Sequence, residues 1–313
     1  MRAAVVERYG PPEVVGVQDV PVPRPRPGQV LIRVERAAVT SGDARMRAAR
    51  FPAGMGMLGR LALGVRGPRR RIPGTVLAGT VEAVGEGVRE LGPGDRVAAM
   101  AESLAGAHAE LCVAPLGRVA RLPEGAGIRE AAALMFGGTT ALWFLRDRLQ
   151  VREGTRVLVM GASGVVGTAA VQLAALHGAV VTAAAGAHAV ELLRELGAER
   201  VVDPAALGTQ GPQFDAVVDT TGTLTLPAGR TLLAEGGGLA LVSGDLLQML
   251  PGRGRVITGV TPVRAADMTH LLELLEAGRL RAVIDRELPL EEIAAAHRRV
   301  ETRRTLGSVL VAP

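Results

Sequence analysis

Between Val157 and Val190 the chain carries no Asp, Glu, Lys or Arg, and this run constrains the fold more than any other. A stretch that long could cross a bilayer. It is broken, however, by Gly161, Gly164, Gly167, Gly178 and Gly186, holds Ser163, Thr168, Gln172 and His177, and has no flanking aromatic belt. Its pieces read strand, turn, helix, turn, strand, so a buried βαβ unit is expected in place of a membrane span.

The sequence on either side agrees. From about residue 128 onward, apolar runs such as RVLVM, AVVTAAA, RVVD, DAVVDTTG, GLALVSG and RVITGV alternate with helical stretches. Strands apolar throughout and separated by helices describe a parallel sheet covered on both faces. Residues 128 to 147 read as helix with a break at Gly137-Gly138. The first third differs: AAVVE, VLIRVERAAV, VLAGTVEAVG, DRVAAM and AELCVAP are short β-rich runs separated by Gly/Pro turns, the pattern of an all-β, barrel-like unit. Two amphipathic helices, near Asp267 to Ala277 and Leu290 to Val300, and a strand SVLVA close the chain.

Composition narrows the function classes. All 36 basic residues are Arg, and the formal net charge is +5. The densest basic cluster, RGPRRR from Arg66 to Arg71, lies in a Gly/Pro-containing loop, and one Trp, one Tyr and four Phe leave little for base stacking. Nucleic acid is therefore not the expected partner. With Cys112 as the single cysteine, neither an intramolecular disulfide nor a Cys-rich zinc lobe is available. The start of the sequence has no signal-peptide pattern, which sets a cytoplasmic expectation.

The turn itself has the form of a dinucleotide cradle. Ala162-Ser163-Gly164-Val165-Val166-Gly167 follows a strand and opens a helix, which is the context such a motif requires. Alanine stands at the usual first glycine, and Gly161 supplies the sharp turn. Gly164 lets the backbone approach a pyrophosphate, Gly167 lets the helix pack on the strand, and the helix N-terminus offers amides to phosphate. Roughly twenty residues on, where an acid would hold the NAD ribose, the sequence reads Ala184-Ala185-Gly186-Ala187-His188. The missing acid favours NADPH over NADH, with His188 a candidate for the 2′-phosphate.

YGPPEVV at Tyr9, GQVLIRVERAAVTSGDARMR at Gly28, LAGTVEAVGEGVRELGPGDRV at Leu77, GAHAEL at Gly106, the glycine turn, ELLRELGAERVVD at Glu191 and LPLEEIAAAHRRVETRRTLGSVLV at Leu288 resemble, in that order, the medium-chain dehydrogenase/reductase superfamily. Within it the chain is similar to the zinc-independent quinone oxidoreductase-like branch. The resemblance implies an α/β protein: a GroES-like β-barrel catalytic domain over residues 1–125, a Rossmann doubly wound parallel-sheet domain over 126–262, and a segment 263–313 returning to the catalytic domain. It also implies an active site in the cleft between the domains, and a homodimer built through the last Rossmann strand, RVITGV.

Set against the zinc-dependent branch, the ligand positions are occupied by Thr40, by Gly74-Thr75-Val76 and, near the third, by Phe136. Hydroxyls and a phenyl ring do not make a zinc site, so no metal is expected. Without a Lewis acid, the chemistry most easily kept is hydride transfer to an acceptor that is already electrophilic, a quinone or an α,β-unsaturated carbonyl. Thr140 resembles the family threonine beside the nicotinamide. Thr40 and Asp43 lie in the matching loop of the other domain, where Thr40 could bond a substrate oxygen, and His108 could donate the proton that follows hydride addition. Thr221-Gly222 and Ser243-Gly244 stand at strand ends, as further cofactor contacts. FPAGMGMLGRLALGV, from Phe51 to Val65, is a candidate substrate-pocket wall. A zinc-free carbonyl reductase or alcohol dehydrogenase, and a non-catalytic NADPH-binding redox sensor or RNA-binding protein, remain as alternatives.

Overall fold

The computed structural model describes residues 1–50, 56–102, 105–209, 213–242 and 255–313. Ser243 and Gly244, and the first five residues of the Phe51 to Val65 segment, lie outside these ranges. Two compact units result. One comprises Met1–Phe51, Gly56–Phe136 and Val263–Pro313, the other chiefly Gly137–Pro262.

The first unit begins with an antiparallel pair, β1 (Arg2–Val6) and β2 (Val15–Asp19). Then follow β3 (Gln29–Val39), helices α1 (Ser41–Arg47) and α2 (Gly56–Leu63), β4 (Val76–Val84), β5 (Arg96–Met100), β6 (Leu111–Pro115) and β7 (Val119–Arg121). Along β6, Cys112 and Ala114 are buried and their neighbours are not, the two-residue period of a strand covered on one face. Helix α3 (Ile128–Leu142) starts in this unit, and its continuation, Trp143–Leu149, is a π-helical turn.

The second unit holds β8 (Arg156–Met160), α4 (Val165–Leu176), β9 (Val180–Ala184), α5 (Val190–Glu195), β10 (Arg200–Val202), β11 (Phe214–Asp219), α6 (Leu226–Thr231), β12 (Leu233–Leu241) and β13 (Arg255–Ile257). Its six strands are parallel, in the order β10-β9-β8-β11-β12-β13. That order runs outward in both directions from β8 and β11, which is the doubly wound arrangement with its switch point between those two strands. Leu158, Val217, Leu239 and Leu241 fill its core, each contributing about 1.5–3 kcal/mol relative to exposure.

The chain then returns as α7 (Ala265–Glu276), β14 (Ile284–Pro289), α8 (Ile293–Glu301) and β15 (Ser308–Ala312). β15 pairs antiparallel with β3, and β14 parallel with β15, to complete a seven-stranded sheet in the order β14-β15-β3-β4-β5-β7, with β6 on β3. Leu290, Ile293, Ala296, Val309 and Val311 join Ile32, Leu77 and Val97 in one core. The tail is thus an integral layer of the first unit.

One sequence expectation is corrected. The helix does not break at Gly137-Gly138: α3 runs straight through both. A Cβ on Gly137 would stand 2.1 Å from the Val165 carbonyl oxygen, so the glycine there permits close packing of α3 on α4. The first unit reaches Phe136.

Candidate functional site

The switch point gathers most of the residues expected to hold a dinucleotide. β8 ends at Met160, and Gly161 turns the chain with a positive φ of 70°, which an L side chain adopts only with strain. The Gly161 and Ala162 amides donate to the Ala184 carbonyl at 3.1 and 3.2 Å, and the Gly164 amide to the Gly161 carbonyl at 3.1 Å. The turn is thereby clamped to the end of β9.

Gly164 is the N-cap of α4 and supplies no side-chain cap. The first-turn amides of a helix have no partner within it, so those of Val165, Val166 and Gly167 concentrate partial positive charge at the N-terminus of α4. Around Gly164 the nearest atom to an added Cβ is the Gly161 carbonyl oxygen at 3.6 Å, whereas a Cβ on Gly167 would meet the same oxygen at 2.3 Å and the Ala162 Cα at 2.6 Å. One glycine keeps space open, and the other lets the helix close onto its own turn. Among the described residues the Ser163 hydroxyl has no hydrogen-bond partner, which leaves it available beside these amides.

The strand end across the switch point is built by a residue that sequence reasoning missed. Asp219 is fully buried at the end of β11. Its carboxylate accepts from the Thr221 amide at 2.8 Å, the Thr221 hydroxyl at 2.6 Å and the Leu224 amide at 3.1 Å. The Thr220 hydroxyl donates to the Met160 carbonyl at 2.8 Å, and a Cβ on Gly161 would strike the side chains of Thr220 and Thr221 at 2.6 Å. Thr221 and Gly222, with a φ of 70°, are therefore held against the glycine turn. A buried Asp before Thr-Thr-Gly was the available signal.

Gly186 and His188 stand at the exit of β9. The exposed imidazole lies over Gly186, where an added Cβ would be 3.0 Å from Nδ1. Thr140 is buried on α3 one helical turn beyond Gly137, and so on the face that meets the start of α4. Among the described residues its hydroxyl has no partner.

The first-unit candidates have a different character. Thr40 caps α1: its hydroxyl donates to Asp43 Oδ2 at 2.7 Å and accepts from the Asp43 amide at 3.2 Å, while the Thr40 amide donates to the same carboxylate oxygen at 2.8 Å. This reciprocal capping box uses the one hydroxyl proton Thr40 has, so the expected bond from Thr40 to a substrate oxygen has no donor. His108 is fully buried, its Nε2 lies 3.0 Å from the Ala38 carbonyl and its Nδ1 has no partner. Donation from Nε2 to that carbonyl is the only role the carbonyl permits. The expected proton donor is thus a core residue whose ring packs against Gly74, where a Cβ would collide at 2.4 Å.

Its neighbour was not anticipated. His297 on α8 is also fully buried, its ring centroid 6.2 Å from that of His108 in an edge-to-face arrangement. Burial first, then the proximity of His108 and Arg47, pushes the His297 pKa down to about 3. Arg47 of α1 is buried and paired with Glu301 of α8. Nothing in local sequence connects positions so far apart.

The sheet order, the glycine-turned helix start and the organised β11 loop are those of a Rossmann-type, doubly wound fold. Comparison with known proteins gives the same class. An alcohol dehydrogenase GroES-like domain model matches residues 26–140, and a zinc-binding dehydrogenase model matches residues 196–311. A quinone oxidoreductase of Pseudomonas aeruginosa is 31% identical over 97% of this chain and 97% of its own length. The solved quinone oxidoreductase of Coxiella burnetii superposes with a TM-score of 0.86 at 25% identity, covering 100% of this chain and 99% of that one. A solved NAD-dependent alcohol dehydrogenase has a TM-score of 0.85 at 30% identity, with both chains covered fully. The chain belongs to the medium-chain dehydrogenase/reductase family, in its quinone oxidoreductase-like branch. Among the described residues no helix is long and apolar enough to cross a membrane.

Proposed function

We propose that this protein is an NADPH-dependent, zinc-free oxidoreductase that delivers hydride to a quinone or an α,β-unsaturated carbonyl. The observation that carries the reading is the uncapped start of α4 at the sheet's switch point, with open space at Gly164. When bound there, the nicotinamide cofactor supplies the hydride. The chain's own work is binding and orientation: the Val165, Val166 and Gly167 amides and Ser163 receive the diphosphate, Thr221 and Gly222 flank it, and Thr140 offers a hydroxyl to the nicotinamide end. Ser243 belongs to the same reading by its position after β12.

NADPH in preference to NADH is supported by the β9 exit, where Ala184-Ala185-Gly186-Ala187 has no carboxylate and the exposed His188 imidazole is free to meet a 2′-phosphate. The zinc-free part rests on donor chemistry. At the positions that hold zinc in the zinc-dependent branch, this chain has Thr40, whose proton goes to Asp43, Gly74-Thr75-Val76 and Phe136, a set that does not fit the ion. A homodimer in the cytoplasm completes the reading. It is supported by β13, the outer strand of the parallel sheet, and by Val260 just beyond it, which is 81% exposed.

The test is turnover by metal-analysed protein, before and after dialysis against a chelator, with NADPH and a panel of quinones, enones and simple aldehydes. The reading expects NADPH oxidation by quinones or enones at a rate the chelator leaves unchanged. Turnover restricted to simple aldehydes would transfer the assignment to a carbonyl reductase or alcohol dehydrogenase. Tight NADPH binding with no turnover at all would transfer it to a non-catalytic sensor or RNA-binding protein.

A further inference from the structure

Five of the six buried side-chain nitrogens that lack a partner among the described residues belong to Arg47, His108 and His297. Arg47 is the cationic member. Its side chain is fully buried and joins Glu301 through Nη2, yet Nε and Nη1 have no partner. A buried donor left unpaired is costly, so a cavity beside such a group points to a polar occupant. Arg47 lines one, of about 20 Å³, together with Asp43, Arg70 and Arg71. That space suits one water.

Arg70, Arg71 and Ala105 also line a second and larger cavity of the first unit, of about 460 Å³, which is within the ~300–1,000 Å³ of small-molecule sites. Val5, Val20, Ile72, Leu111 and Val113 give it apolar walls. Its charged side chains are Arg69, Arg70, Arg71 and Glu102, with Glu102 accepting from Gln29 Nε2 at 3.2 Å, and the Met1 ammonium also lines it, donating to the Val20 carbonyl at 3.0 Å. In the inner cavity Asp43 Oδ2 is committed to Thr40, and Glu301 offsets Arg47. Arg71 brings an exposed guanidinium to the wall the two cavities share. Among the described residues Arg71 has no carboxylate partner.

We propose that this groove is an accessory binding site for a small apolar molecule with a single oxyanion head, of the class of a medium-chain carboxylate. The head sits on the Arg71 guanidinium, the tail lies along Val5, Val20, Ile72 and Val113, and a water in the inner cavity links the head to the unpaired Arg47 nitrogens. None of these residues belongs to the dinucleotide-binding set, so the site stands or fails independently of the oxidoreductase reading.

The experiment is calorimetric titration of the full-length chain with decanoate, decyl phosphate, decanol and acetate, repeated on Arg71→Glu and Val113→Arg. Decanoate is expected to bind one to one, decanol at least about tenfold more weakly and acetate immeasurably, because the charge-assisted contact and the apolar wall are both required. Decyl phosphate in place of decanoate as the tighter ligand identifies the head as phosphate within the same oxyanion class. Arg71 is exposed, so Arg71→Glu should fold normally by thermal unfolding, weaken decanoate at least about tenfold and leave NADPH binding unchanged. Val113→Arg should abolish binding of the tail. Equal affinity for decanoate and decanol, or decanoate binding untouched by Arg71→Glu, would overturn the proposal, as would displacement of decanoate by NADPH.

Discussion

At the scale of single residues, Gly164 and Gly167 look alike in sequence and do opposite things. Gly167→Ala puts a methyl group 2.3 Å from a backbone oxygen that cannot retreat, and should cost roughly 1–3 kcal/mol of stability, read as a lowered midpoint in denaturant. A Cβ on Gly164 meets nothing closer than 3.6 Å, and Asp, as in Gly164→Asp, is among the best N-caps. It should leave the thermal midpoint unchanged or raise it, while occupying the amides and placing a charge where phosphate would go. Val165 is explained by Gly137: its Cγ2 would lie 3.1 Å from a Cβ there, so the valine fills space that the glycine on α3 leaves.

At the scale of elements, legibility followed locality. The glycine turn was readable because strand, turn and helix are adjacent in sequence, and the parallel strands because burial on both faces makes them apolar throughout. Gly137-Gly138 was misread as a break because helix propensity is local and the Val165 carbonyl is not. β2, VGVQD, and β14, IDRELP, escaped because they are short and polar, held by pairing with β1 and β15. α1 exposes the same limit for function: Thr40 and Asp43 were legible as a pair, but only the geometry shows them bonded to each other. Thr40→Ala should therefore destabilise the protein by about 1 kcal/mol through loss of the cap, with a proportionate fall in thermal midpoint and kcat held within about twofold. A collapse of kcat at unchanged stability would restore Thr40 to the chemistry.

For the whole molecule, the buried His297 predicts how it fails in acid. His297 has a pKa of about 3 when folded, against an ordinary 6.5. The unfolded chain therefore binds this proton more readily, and the contribution is intact above about pH 6.5 and lost as pH falls toward 3. Stability measured from about pH 6.5 down to 4.5 should decline, and His297→Leu, which has no proton to take up, should flatten that decline by up to one proton's slope. Burial likewise pushes the Cys112 thiol up to about 12, so iodoacetamide at neutral pH should leave native protein unmodified and label it once unfolded, as mass spectrometry would show.

The central claim, that the turn after β8 is the dinucleotide cradle, is most directly tested by titrating NADPH into the wild type and Gly164→Asp. Trp143, the only tryptophan, lies in the same unit and serves as a fluorescence probe alongside calorimetry. The account predicts saturable one-to-one binding to the wild type, tighter than for NADH, and affinity at least about tenfold weaker in a Gly164→Asp variant that unfolds no earlier. NADPH binding to that variant with wild-type affinity would contradict it.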